Sequence, residues 1–211
     1  MIKAIIFDMD GVLIDAKEWH YEALNRSLKL FGYEISRYDH LTTYDGLPTS
    51  KKLEMLSVQD DLPHKLHRFI NEMKQQYTIE LVRSLCRPRF KHEYALSKLK
   101  ASGYHLAVAS NSIRNTVELM MENAGLTPYL NFMLSNEDVE RPKPHPDIYV
   151  KAMQKLDLSP EECLIVEDNE HGIRAARASG AHVMVVGDVD DVNYSNLMRR
   201  IAEAETGGEA S

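Results

Sequence analysis

An α/β fold, a parallel sheet covered by helices and interrupted by a helical insertion, is what this sequence predicts, on three observations. Short apolar runs rich in β-formers alternate with amphipathic stretches of helical period. Several of those runs lack any polar interruption, as strands buried on both faces do. One block, residues 16–87, holds no convincing strand and reads as helices throughout.

Taken in order, the first strand is "IKAIIF" (2–7). In the helical block, Leu24, Leu28 and Phe31 recur on one face before Gly32 stops the first helix. A second helix starts after "GLPTS", where Thr49 or Ser50 can cap it, and a longer one runs from Pro63 towards Leu85. The remaining strands are "YHLAVAS" (104–110), "FMLS" (132–135), "CLIVE" (163–167) and "HVMVV" (182–186). In "PDIYVKAMQKL", Ile148, Tyr149, Ala152, Met153 and Leu156 share one helical face. Boundaries therefore fall near 15 and 88, giving an α/β domain of 1–15 and 88–211 and a helical domain of 16–87. "ETGGEAS" closes the chain with the composition of a frayed tail.

With 211 residues, either one large domain or a core plus an insertion can bury a full hydrophobic core. The formal charge of −7 argues against a nucleic-acid partner, which selects basic faces. Cys86 and Cys163 lie far apart without metal spacing and read as apolar fillers in a reducing cytosol. "MIKAIIFDMD" is wrong for a signal peptide, and no apolar stretch approaches the roughly 20 residues of a membrane span. The expectation is a cytoplasmic protein, a monomer or weak dimer, with a small-molecule partner, no nucleic acid and no membrane.

In an open parallel sheet, ligands bind at the carboxyl ends of the strands. After the first strand come Asp8 and Asp10; after the second, Ser110 and Asn111; beyond the third, Lys143; after the fourth, Glu167 and Asp168. Each alone has an ordinary job as turn former, helix cap or solvated lysine. Together, four carboxylates converging on one sheet edge repel one another unless a cation is present, while Ser, Asn and Lys supply donors for an anion. A hard divalent cation beside an anion pocket describes a Mg²⁺-dependent phosphate site.

The stretches "DMDGVLID", "SNS", the lysine of "RPKPHPD" and "VEDNEHGI" resemble, in order and separation, the four motifs of the haloacid dehalogenase superfamily. The arrangement is similar to its phosphatase and β-phosphoglucomutase branch, with a helical cap inserted after the first motif. The resemblance covers roughly 1–15 and 88–187, and it implies a Rossmann-like core of strand order 5-4-1-2-3 with an inserted α-helical cap domain. It implies a Mg²⁺-dependent phosphatase acting on a small phosphorylated metabolite, a sugar phosphate, through an aspartyl-phosphate. Asp8 would be the nucleophile and Asp10 the general acid and base. Ser110 and the Asn111 backbone N–H would hold phosphoryl oxygens, and Lys143 would neutralise their charge. Asp8, the Asp10 carbonyl and Asp168 would bind Mg²⁺, with Glu167 as an outer or alternate ligand. Asp15 is expected to cap the first cap helix. A sugar-phosphate mutase is the alternative enzyme, and a non-catalytic phospho-ligand-binding module the alternative of another class.

Specificity in such proteins lies in the cap, and the candidates are His20, Gly46, Thr49 and Lys52, with Ser50, Lys51 and Lys74 as further donors. The β-phosphoglucomutases carry an arginine in a Gly-x-Ser-Arg cap turn, where this chain has Gly46-Leu47-Pro48-Thr49; that departure weakens the mutase reading. "CRPRF" stands where a Pro-Gly often precedes the helix after the cap. His64 and His67 resemble a metal fragment, but without a third ligand motif nearby they read as a solvated helix face.

Overall fold

The computed structural model describes residues 1–44 and 46–207. Asp45 of the cap turn and the last four residues of the expected tail lie outside them. Backbone proximity divides the chain into two compact units, 1–15 with 87–211, and 16–86.

The first unit carries β1 (Ala4–Phe7), β2 (His105–Ala109), β3 (Phe132–Leu134), β4 (Cys163–Glu167) and β5 (His182–Val185). They form one sheet of order β3-β2-β1-β4-β5 in which every neighbouring pair is parallel. This is the expected α/β fold, and the reason is legible in β1: its four residues are wholly buried, so it takes the centre, between β2 and β4. Phe7 is level with Val108 and Val166, which delivers the ends of three strands to one line. Around the sheet lie α5 (Phe90–Ala101), α6 (Arg114–Asn123), α7 (Asp147–Leu156), α8 (Glu170–Ala178) and α9 (Tyr194–Glu205). The helices α7 and α8 place Ile148, Tyr149, Ala152 and Ala175 in one apolar cluster with Ile6 and Ile165. Ile5 and Phe7, alternating to the opposite face, are equally buried. Cys86 and Cys163 are both buried, as fillers should be, and neither is in a disulfide.

The second unit holds α1 (Lys17–Lys29), α2 (Arg37–Thr42), α3 (Thr49–Gln59) and α4 (His67–Leu85). Leu24, Leu28, Leu53, Leu56 and Ile70 form its apolar centre. Arg26 ties α1 to α4 through Glu80 at 3.1 Å and lies 4.0 Å from the Tyr77 ring centre.

Several local expectations are corrected here. Asp15 does not cap α1; the N-cap position falls on Ala16, which offers no side-chain acceptor, and Asp15 is exposed. Phe31 is not on the buried face, because α1 ends at Lys29; it lies in the turn beyond, edge-on to Phe69. Neither Thr49 nor Ser50 caps α3, since Pro48 takes that position and Thr49 is already helical. The long helix begins at His67 rather than Pro63, after a 3-10 turn over His64–Leu66. His67 is therefore not a solvated residue, its side chain being only 17 % exposed. The six residues of α2 were not expected; they are too few to show a period, and Ser36 starts them by accepting from the Asp39 N–H. Glu205 belongs to α9 rather than to a tail, and accepts the Ile2 N–H at 2.9 Å. Among the described residues, no helix is long and apolar enough to cross a membrane.

Candidate active site

The chain beyond β1 turns at once. Asp8 still donates its N–H to Val166 across the sheet at 2.9 Å, and the N–H groups of Leu13 and Ile14 then close back onto the Met9 carbonyl. Gly11 has a φ of 87°, a conformation costly for any residue with a Cβ, so the turn requires glycine there. Asp8 is thereby held at the sheet edge, 4 % exposed.

Lys143, from the loop between β3 and α7, reaches it from the side. Its Nζ lies 2.6 Å from Asp8 Oδ1 and 2.7 Å from Glu167 Oε1, and all three side chains are buried. Glu167 Oε1 also accepts the Tyr149 hydroxyl at 2.5 Å. The Asp168 N–H, at 3.1 Å, and Asn169 Nδ2, at 3.4 Å, donate to Oε2. The carboxylate of Glu167 is thus clamped from both sides. Gly172 completes the clamp: a Cβ there would stand 1.8 Å from Glu167 Oε1.

Asn111 holds the lysine's own backbone, accepting the Lys143 N–H on Oδ1 at 3.0 Å and donating from Nδ2 to its carbonyl at 3.3 Å. Ser110, buried at the end of β2, accepts the Ser112 N–H at 3.0 Å, and Ser112 Oγ in turn donates to Asp10 Oδ2 at 3.1 Å. Asp10 is half-buried, on the rim of the cluster.

Burial pushes the Asp8 carboxyl well above the usual carboxylate range; Lys143 opposes this, while Glu167, Asp168 and Asp10 add to it. Burial alone would pull the Lys143 ammonium down, but Asp8 and Glu167 outweigh that and hold it above its ordinary value. Tyr149 is pushed far up by burial and by Glu167 and Asp8, so its hydroxyl stays a donor. The strain in this set is an excess of negative charge, one ammonium against four carboxylates. Asp8, Glu167 and Asp168 each offer a carboxylate oxygen, and these lie within 4.8 Å of one another. Oxygen-only donors with surplus negative charge fit a hard divalent cation.

All seven core candidates are therefore brought together on the α/β unit. Tyr149, Ser112 and Gly172 belong to the same cluster and were missed. Tyr149 was legible only as one apolar position of α7, although a buried tyrosine hydroxyl always needs a partner. On the helical unit, His20 Nδ1 and Lys74 Nζ are 3.3 Å apart, joining α1 to α4. Gly46 turns the chain with a φ of 68°, Thr49 opens α3, and Lys52 is buried along it. His20 and Lys74 thus sit on α1 and α4, Gly46 in the turn before α3, and Thr49 and Lys52 on α3 itself.

The family model for haloacid dehalogenase-like hydrolases matches residues 5–186. A phosphorylated carbohydrates phosphatase of Thermotoga maritima is 28 % identical over 91 % of this chain and 88 % of its own length. Pyrophosphatase PpaX of Bacillus mycoides is 28 % identical over 88 % of this chain and 83 % of that protein. Among solved structures, beta-phosphoglucomutase from Clostridium difficile superimposes with a TM-score of 0.84 at 20 % identity, covering 98 % of this chain and 100 % of that one. At that identity the likeness speaks for the fold alone.

Proposed function

The chain belongs to the haloacid dehalogenase-like hydrolase family, and from its site we propose a Mg²⁺-dependent phosphatase that hydrolyses a small phosphorylated metabolite, a sugar phosphate, through an aspartyl-phosphate. One observation carries this reading: a buried carboxylate, Asp8, locked by a buried ammonium at 2.6 Å and clustered with two further acids, Glu167 and Asp168. The relatives named as a carbohydrate phosphatase and a pyrophosphatase support it.

In the proposed reaction Asp8 attacks phosphorus in line with the departing alcohol. Asp10, positioned by Ser112, gives that alcohol its proton and then takes one from the water that cleaves the acyl phosphate. Ser110 Oγ, whose lone pair already takes the Ser112 N–H, turns its hydroxyl hydrogen to a phosphoryl oxygen. Lys143 holds Asp8 in place and offsets the charge gathering on the phosphoryl group. Asn111 and Glu167 fix that lysine from its backbone and its tip. Asp8, the Asp10 carbonyl and Asp168 would hold Mg²⁺, with Glu167 as an outer ligand already committed to Lys143 and Tyr149. When bound, the ion supplies positive charge to the substrate phosphate. We assign substrate selection to the helical domain, 16–87, with His20, Gly46, Thr49 and Lys52 as its candidates.

The test is a panel of phosphate esters with Mg²⁺, run beside Asp8→Asn. Phosphate release from a sugar phosphate, falling about 10⁴-fold or further in the variant, is expected. The apo Asp8→Asn protein should melt no lower than wild type, because burial and the neighbouring acids disfavour charge at that position. No turnover above the variant on any ester would overturn the reading. Isomerisation that needs a bisphosphate activator, with little phosphate released, would replace it by a mutase.

A further inference from the structure

We propose that Glu54, His64 and His67 form a metal site on the helical unit, separate from the carboxylate cluster and of a different chemistry, suited to Zn²⁺. Glu54 comes from the middle of α3, His64 from the 3-10 turn and His67 from the first position of α4. Each offers one ligand atom, and the three atoms lie within 4.8 Å of one another. Glu54 Oε1 is 3.5 Å from His67 Nδ1, and Oε2 is 3.7 Å from His64 Nδ1. Two donors on a tetrahedral ion with bonds of about 2.0–2.1 Å stand about 3.3–3.4 Å apart. Both carboxylate–imidazole distances are close to that, although they run to different oxygens of Glu54 and the three-atom set would contract from within 4.8 Å.

The tautomer of His67 supplies a second, independent argument. Ser57 Oγ donates its single hydrogen to the Leu62 carbonyl at 2.6 Å, because a carbonyl can only accept. At its contact of 2.7 Å with His67 Nε2, Ser57 must therefore be the acceptor and Nε2 the donor. In the neutral ring this leaves Nδ1 as a lone pair aimed at the Glu54 carboxylate, an arrangement of two acceptors that a cation between them resolves. A proton shared by the two is the competing occupant, but 3.5 Å exceeds the about 2.7–2.9 Å of a charge-assisted hydrogen bond. Metal-binding histidines are commonly oriented by an acceptor for the far ring N–H, and Ser57 Oγ takes that place here. Two imidazoles and one carboxylate prefer Zn²⁺ or a neighbouring transition metal, whereas the oxygen-only cluster of the α/β unit prefers Mg²⁺. Such an ion would staple α3 to the start of α4.

The experiment titrates the full, metal-stripped chain with Zn²⁺ by calorimetry in saturating Mg²⁺, and follows the histidine ring nitrogens by ¹H–¹⁵N NMR. The expected result is one equivalent of Zn²⁺ that shifts Nδ1 of both His64 and His67. That equivalent should vanish in His64→Gln, a change at an exposed turn that leaves the circular dichroism spectrum intact. Ser57→Ala should bind about 10- to 100-fold more weakly. Equal Zn²⁺ stoichiometry in wild type and His64→Gln, undisturbed Nδ1 signals, or no binding would each overturn the site, whatever the outcome of the phosphatase panel.

Discussion

The two units bury their polar groups in different ways. In the α/β unit, Asp8, Lys143 and Glu167 touch one another, so buried charge is gathered at a single point where three strand ends line up. In the helical unit, three of the buried polar residues, Asn25, Ser27 and Thr78, are instead spent on backbone, while buried Lys74 meets the His20 ring. Asn25 exchanges two hydrogen bonds with Ile35, Ser27 donates to Leu24 and Thr78 to Lys74. The first pattern stores electrostatic cost where chemistry needs it, and the second satisfies the ends and bends of helices. A buried charge is worth its desolvation only when paired, so the contiguous trio carries the stronger functional argument.

The largest break in that contrast should come from Lys143→Met. It leaves Asp8 and Glu167 buried without their cation, and urea unfolding of the apo protein should register a loss of about 3–5 kcal/mol together with activity. A loss under about 1 kcal/mol would mean that the trio is not the electrostatic unit its distances describe. Gly172→Ala follows, at about 1–3 kcal/mol, because the new methyl meets a carboxylate that Lys143 and Tyr149 prevent from moving aside. Both variants should lower turnover. In the helical unit, Asn25→Leu should cost a similar about 1–3 kcal/mol by orphaning the Ile35 N–H and C=O, yet leave turnover by the folded protein unchanged. A lowered turnover there would blur the distinction between the two kinds of burial.

The same contrast explains what was legible in the sequence. Strands buried on both faces announce themselves as unbroken apolar runs, and parallel register carries the residue after each run to the same edge. Asp8, Ser110 and Glu167 could be grouped on that basis before any coordinates. Lys143 sits on a loop well beyond β3, so strand position grouped it only loosely with the others, and the motif resemblance supplied its role. Contacts made by helix faces have no comparable rule: Tyr149 reaches Glu167, and Glu54 reaches the two histidines, through packing between elements that local spacing does not encode. Helix ends failed for a related reason. Asp15 and Thr49 are good capping residues one position away from where the chain enters the helix.

His92 gives the smallest and most selective test, because it is a buried polar group of the α/β unit that lies outside the charged trio. It sits on α5, 1 % exposed, and its Nε2 donates to the Val189 carbonyl at 2.8 Å. Burial holds its pKa below the ordinary imidazole value; the bond to Val189 opposes this, Arg89 reinforces it, and Asp190 and the Leu13 carbonyl pull the other way. Because the folded pKa is the lower one, the unfolded chain binds the proton first. The stabilisation is complete above the unfolded value of about 6.5 and drains away as pH falls towards the folded one. Stability measured by urea unfolding should therefore decline on acidification below about pH 6.5, and His92→Gln, which keeps a donor for Val189, should remove that component of the slope. Phosphatase activity normalised to folded protein should follow the same course in both proteins. A pH profile of turnover that shifts with His92→Gln would bring this histidine into the active constellation and end the separation between structural and chemical burial in the α/β unit.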